Sequence, residues 1–333
     1  MIFSYIINIL HIPLVAIKIL RDLHTQKKFI ARHLQPILLE FQAANNLTPD
    51  IDYKRITNYY ALAVSAIIGE THCTLHRKAM TTTERRAGTL IGACSVLFDD
   101  FFDNDNLTDE YITQLINNPK NIEPTNNSVK LAIQLYSKLL EGIQHSENIQ
   151  QALNDVFQEQ VRSKKQKNSD QTEEEIKDIT FAKGGTAFLL YRKAFGEVST
   201  RCEERFYYTL GAIMQLENDI FDVYKDRQEG IRTLVTACHD IKPVRNLYLY
   251  LINELFEGAQ QLPVNPKAVA KAMRVLMLVI CRGLVCLDQL ENLQKSTNNR
   301  FELMVYSRSE LICDMEKPTS FMKMIHYYAN YQY

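Results

Sequence analysis

The sequence predicts an all-α protein folded as one large domain over residues 1–333. Three observations carry this. Apolar residues recur at three- and four-residue spacing along most of the chain, and few segments alternate as strands do. Glycine (11) and proline (9) are too scarce for an architecture of tight turns. With 46% hydrophobic and 23% charged residues, the chain has ordinary globular composition and the length to bury a sizeable core.

Residues 1–28 form an apolar N-terminal segment, interrupted by Asn8, His11, Pro13 and Lys18. It lacks the basic start and small-residue cleavage site of a secretory signal, and its apolar run is short for a membrane span. The reading is one or two helices covering the core. Contact with a membrane surface is the alternative, because Lys18, Arg21, Lys27, Lys28 and Arg32 follow the apolar stretch. Helical periodicity then marks 30–43, 59–69, 90–98, 129–143, 188–195, 206–224, 244–256 and 268–293. Breaks fall at 45–50, 104–108, 117–127, 163–174 and 263–266, where Asn, Asp, Ser, Thr and Pro gather. The stretch 163–174 (SKKQKNSDQTEE) is the most polar of all and reads as a solvated loop or helix end.

Net charge is −1, which excludes a global basic field for nucleic acid or an anionic membrane and leaves only local patches. The cysteines Cys73, Cys94, Cys202, Cys238, Cys281, Cys286 and Cys313 are odd in number and scattered, with no C-x-x-C pair. They suit reduced core thiols in a cytoplasmic protein better than a disulfide framework or zinc knuckle. His72 and His76 stand at i, i+4, but no zinc-site pattern surrounds them, and they read as ordinary helix residues.

Two acidic clusters stand out. The first is LFDDFFDND at 97–105, at the end of an apolar helical run. Asp99 and Asp103 share a helix face, and Asp100 lies about 100° round from Asp99. Like charges so spaced destabilise an isolated helix, and their setting among phenylalanines asks for a cation. In the second, Asn218, Asp222 and Asp226 fall at i, i+4 and i+8 beside an apolar stripe of Leu216, Ile220 and Val223. The donors are all hard oxygens, which favours magnesium or manganese over zinc or copper. Either cluster alone would pass as a solvated helix end; the pair carries the argument.

Asp99-Asp100-Phe101-Phe102-Asp103 resembles the D-D-x-x-D motif of class I isoprenoid synthases. The stretch from Gln215 to Leu234 is similar to the second metal segment of that superfamily. Asp222 and Asp226 match the D-x-x-x-D of squalene and phytoene synthases. Asn218-Asp219-x-x-Asp222-x-x-Lys225-Asp226 equally resembles the terpene cyclase N-D-x-x-S-x-x-K-E motif, with Asp in place of Ser and Glu. The resemblance implies a single-domain helical bundle around a central cavity, its motifs on opposite walls. It assigns Asp99, Asp100 and Asp103 to one magnesium wall and Asn218, Asp222 and Asp226 to the other. Three magnesium ions, replaceable by manganese, would complete their shells with a prenyl diphosphate. Lys183, Arg192, Lys225, Arg227, Tyr306 and Arg308 are the candidate diphosphate contacts, of which only Lys225 lies within a motif.

The chemistry this implies is ionisation of the prenyl diphosphate to an allylic carbocation. Cyclisation or elimination with loss of diphosphate follows, the reaction of a class I terpene synthase, a carbon–oxygen lyase. Head-to-head condensation ranks second. Chain elongation, a prenyltransferase reaction, ranks third, because no basic residue follows the first motif where elongating enzymes carry Arg-Arg-Gly. A non-catalytic isoprenoid-binding protein is the rival from another class. A homodimer stays open.

Overall fold

A computed structural model describes residues 2–45, 51–103, 107–167, 170–196 and 198–333; the side chains of 2–4, 102 and 103 lie outside that description. The chain is all-α: 79% is helical, and no strand occurs among the described residues. No described helix is long and apolar enough to cross a membrane.

The chain divides into two compact units. The first comprises Met1–Val15, Arg162–Phe188 and Thr200–Tyr333; the second comprises Ala16–Val161 and Leu189–Ser199. In the second unit the long Thr82–Asp103 helix is central, packing on Asn127–Gly142 and on a helical run over 53–75. That run opens into two wide turns, Ile56–Tyr60 and Val64–Gly69, whose i→i+5 pattern disturbs the regular hydrogen-bond ladder. Buried Gln26 donates to the Ala61 carbonyl (2.9 Å) and the Thr89 hydroxyl (2.8 Å), satisfying groups at the contact of the two helices. Gly92 makes the contact close: a Cβ there would collide with the backbone of Tyr60 and Ala61. The end of the Thr82–Asp103 helix is anchored by Phe98, edge-on to Phe101 (5.6 Å) and Tyr136 (6.0 Å).

In the first unit the Arg201–Phe221 helix starts at a capping box. The Glu203 amide donates to the Thr200 hydroxyl (3.2 Å), and the Thr200 amide donates to the Glu203 carboxylate (3.0 Å). Phe206, Leu210, Ile213, Leu216 and Ile220 form its buried stripe, packed on Lys242–Gln260 and Pro266–Ser296. Pro318–Asn330 covers the latter helix. Gly184 of the Glu173–Lys193 helix and Gly211 meet face to face. A Cβ on either would strike the other's carbonyl, so these two backbones touch without intervening side chains.

Several boundaries differ from the sequence reading. The periodic stretch 30–43 is two helices, Ile2–His33 and Gln35–Ala44, because Pro36 enters the second at its first turn. The stretch 206–224 ends at Phe221, with Asp222 at the joint before Val223–Glu229. The segment 188–195 is the tail of Glu173–Lys193, which begins inside the expected break at a Thr172–Glu175 box. Residues 46–50 and 104–106 of two expected breaks lie outside the described residues.

Gly184→Ala is expected to destabilise the protein by about 1–3 kcal/mol through overpacking against Gly211. Gly142→Ala, where the added methyl meets open space, should be neutral or stabilising by up to about 1 kcal/mol. Thermal unfolding of both variants checks this pair.

Candidate metal centre

The two acidic clusters belong to different units: Asp99, Asp100 and Asp103 to the second, Asn218, Asp222 and Asp226 to the first.

In the second unit Asp99 and Asp100 are half-buried on the last turn of their helix. Their neighbour is Arg55, which the sequence reading did not select. It donates to Asp100 Oδ1 at 2.6 Å and reaches Asp99 Oδ2 at 3.7 Å. A cation for Asp99 and Asp100 is therefore present within the chain. Burial, with the added negative charge of Asp99, pushes the Tyr60 hydroxyl well above its usual pKa, so Tyr60 stays a neutral donor beside the cluster. The Tyr191 hydroxyl donates to Ser95 Oγ (3.4 Å), one turn before Asp99. The Asp103 side chain lies outside the described residues.

In the first unit, i→i−4 bonds from the Asp222 amide to the Asn218 carbonyl (2.8 Å) and from the Asp226 amide to the Asp222 carbonyl (2.8 Å) cross the joint. The stripe expected from the spacing therefore persists through the break. It runs from water into protein: Asn218 is exposed, Asp222 half-buried and Asp226 buried. The Asn218 amide donates weakly to Asp222 (3.5 Å).

The structure adds Asp219, which is buried and takes hydrogen bonds from Thr180 (3.0 Å) and Gln215 (2.9 Å). The Gly184–Gly211 contact is what brings Thr180 and Lys183 to this point. Gln215, Asp219, Asp222 and Asp226 recur at i, i+4, i+7 and i+11, a spacing that could have identified Asp219. Burial raises its pKa to about 6, with the charge of Asp222 adding to the rise and Gln215, Lys183 and Thr180 opposing it. Asp226 is raised further, to about 8, first by burial and then by the charges of Asp219 and Asp222, against a small opposing effect of Lys225. No hydrogen bond or ion pair relieves the Asp226 carboxylate among the described residues. Glu217 is separate: it turns to the Pro266–Ser296 helix and pairs with Arg282 at 3.0 Å.

The predicted cations divide. Lys183 flanks Asp219, and Lys225 is exposed beside Asp226. Arg227 donates to the carbonyls of Leu303 (2.8 Å) and Tyr306 (2.9 Å), docking the C-terminal turn on the Val223–Glu229 helix. Arg227 and Arg308 both lie over the Tyr224 ring, at 4.9 and 5.9 Å. Tyr306 is buried, and its hydroxyl is engaged with Thr297 at 2.6 Å. Arg192 lies in the other unit, fully buried beside His72. Burial, aided by the Arg192 charge, takes His72 down to about 2 and keeps it neutral.

The donor set of the first unit suits a hard divalent cation: oxygen ligands from one helical stripe, one of them a buried carboxylate without a partner. The chain matches no known family model, no curated protein and no solved structure in comparison with them.

The raised carboxyls set a pH dependence. A carboxyl whose pKa rises on folding binds its proton more tightly in the folded state, so its stabilisation is present below the unfolded value and lost as pH climbs through the folded one. Without divalent metal, stability should therefore fall from about pH 4 to about pH 8. Asp226→Asn should remove the upper part of that fall. Melting temperatures across pH, with and without magnesium, check this; magnesium should restore stability most at the alkaline end.

Proposed function

We propose that this protein is a magnesium-dependent, class I terpene synthase-like enzyme. It would ionise a prenyl diphosphate to an allylic carbocation and release diphosphate after cyclisation or elimination. The observation that carries the reading is the Asp219, Asp222 and Asp226 group, two buried carboxylates and a half-buried one, with Lys183 near Asp219 and no cation bonded to Asp226 among the described residues. Such a group is costly to ionise alone and gains from a divalent ion.

Magnesium bound there would supply charge to neutralise the leaving diphosphate. Asn218, Asp222 and Asp226 are the proposed ligands, with Asp219 holding the neighbouring Gln215 and Thr180 in place. Lys183 and Lys225 are the proposed diphosphate contacts of this unit, with Arg308 next to them along the Arg227–Tyr224 stack. Asp99, Asp100 and Asp103 are the proposed second ligand set. For them to take metal, Arg55 must exchange its carboxylates for phosphate oxygens, which a guanidinium does readily. In the step itself the allylic C–O bond breaks heterolytically, its electron pair leaving with the diphosphate. An oxygen of the released diphosphate would then take a proton from a carbon next to the cation, giving the olefin.

One observation favours a second reading. With Arg55 already paired to Asp99 and Asp100, these two carboxylates have a cation without metal, as expected of a protein that binds isoprenoids without turning them over.

Incubation with geranyl, farnesyl and geranylgeranyl diphosphates, with and without magnesium, separates the readings. Magnesium-dependent diphosphate release with a hydrocarbon or alcohol product is expected. A longer prenyl diphosphate product would replace the lyase by a prenyltransferase, and binding without turnover would favour the second reading. Asp99→Ala and Asp222→Ala should each reduce turnover by about 100-fold or more while circular dichroism is unchanged.

A further inference from the structure

The first helix, Ile2–His33, carries an outward face that the fold leaves uncovered. At about 100° per residue, Ile6, Leu10, Leu14, Ile17 and Leu20 line up on one side, and each is more than half exposed. The opposite side is buried through Asn8, Val15, Asp22, Gln26 and Ile30. Past Leu20 the same outward side continues as Arg21, His24, Lys27, Lys28 and Arg32, all exposed. The face is thus apolar along its first half and cationic along its second. The only acidic residue of the helix, Asp22, is buried and paired to Lys18 and, at 3.5 Å, to Arg21, which leaves Lys27, Lys28 and Arg32 without an acidic residue on this helix to offset them. These cations stand out because the whole chain has a net charge of −1.

We propose that this face lies flat on an anionic lipid bilayer, with the aliphatic stripe in the acyl boundary and the basic row among the headgroups. Charge selects this occupant over a second copy of the chain. Parallel pairing of two such helices would set one cationic row against the other. Antiparallel pairing would bury lysine and arginine against leucine and isoleucine. Only a surface that is apolar within and negative at its rim complements both halves of the face. The proposed contact is interfacial, since no described helix is long and apolar enough to cross a bilayer. The inference rests on this helix alone and stands whether or not the protein is a catalyst.

Co-sedimentation of the full chain with vesicles tests it. Phosphatidylcholine vesicles with and without phosphatidylglycerol are compared at low and high salt. The protein is expected to pellet with the anionic vesicles and to be released by salt. Lys27→Gln, Lys28→Gln and Arg32→Gln combined should weaken binding by about 100-fold, given about 1 kcal/mol for each surface cation. Leu10→Gln, Leu14→Gln and Ile17→Gln combined should reduce binding to background. All six positions are exposed, so circular dichroism and melting temperature should match the unaltered protein. Protein that stays in solution with every vesicle, or pellets equally with neutral and anionic vesicles, overturns the proposal. So does a dimer in lipid-free ultracentrifugation that the three apolar substitutions dissolve, which would assign the face to a second copy.

Discussion

A carboxylate taken out of water must find a cation, surrender its charge or weaken the fold around it. Most of what is distinctive in this protein follows from that constraint at the Arg201–Phe221 helix. The helix can approach Glu173–Lys193 closely because Gly184 and Gly211 leave nothing between the two backbones. The approach removes water from Asp219 while supplying it with Thr180 and, nearby, Lys183. Asp226, one turn past the joint at Asp222, is buried with no such compensation. A local packing device thus produces an electrostatic demand, and that demand makes the site a candidate for metal.

The other acidic cluster meets the same constraint differently. Asp99 and Asp100 sit at a half-exposed helix end, and Arg55 supplies their countercharge. The wide turns of the 53–75 run and the absence of a side chain at Gly92 set Tyr60 and Arg55 against this end of the Thr82–Asp103 helix. Asp99 and Asp100 therefore share a side-chain cation, whereas Asp226 has none bonded to it among the described residues.

The helical character was legible because long apolar stripes, such as Phe206 to Ile220, declare their period directly. Ser146–Ser163 and Asp109–Asn117 were not singled out: each buries only three or four side chains, a stripe too thin to register against polar neighbours. The start of Glu173–Lys193 was hidden in a polar run whose Thr172–Glu175 box is a cap, although its composition resembles a loop. At the site, the four-residue spacing located Asn218, Asp222 and Asp226. It could not weigh Asp219, whose importance comes from a neighbouring helix. Arg55 carried no signal at all, lying more than forty residues before its partners in a stretch without a motif. Lys183 was read as a diphosphate contact, and the glycine that follows it, Gly184, is dictated by backbone contact with Gly211.

The central proposal is that Asn218, Asp222 and Asp226 form a divalent-cation site beside the buried Asp219. Manganese binding followed by electron paramagnetic resonance, with and without added pyrophosphate, tests it most directly. Specific binding that tightens with pyrophosphate and is lost in Asp226→Asn is predicted. Manganese that remains free, or that binds equally well to the Asp226→Asn variant, would contradict the account.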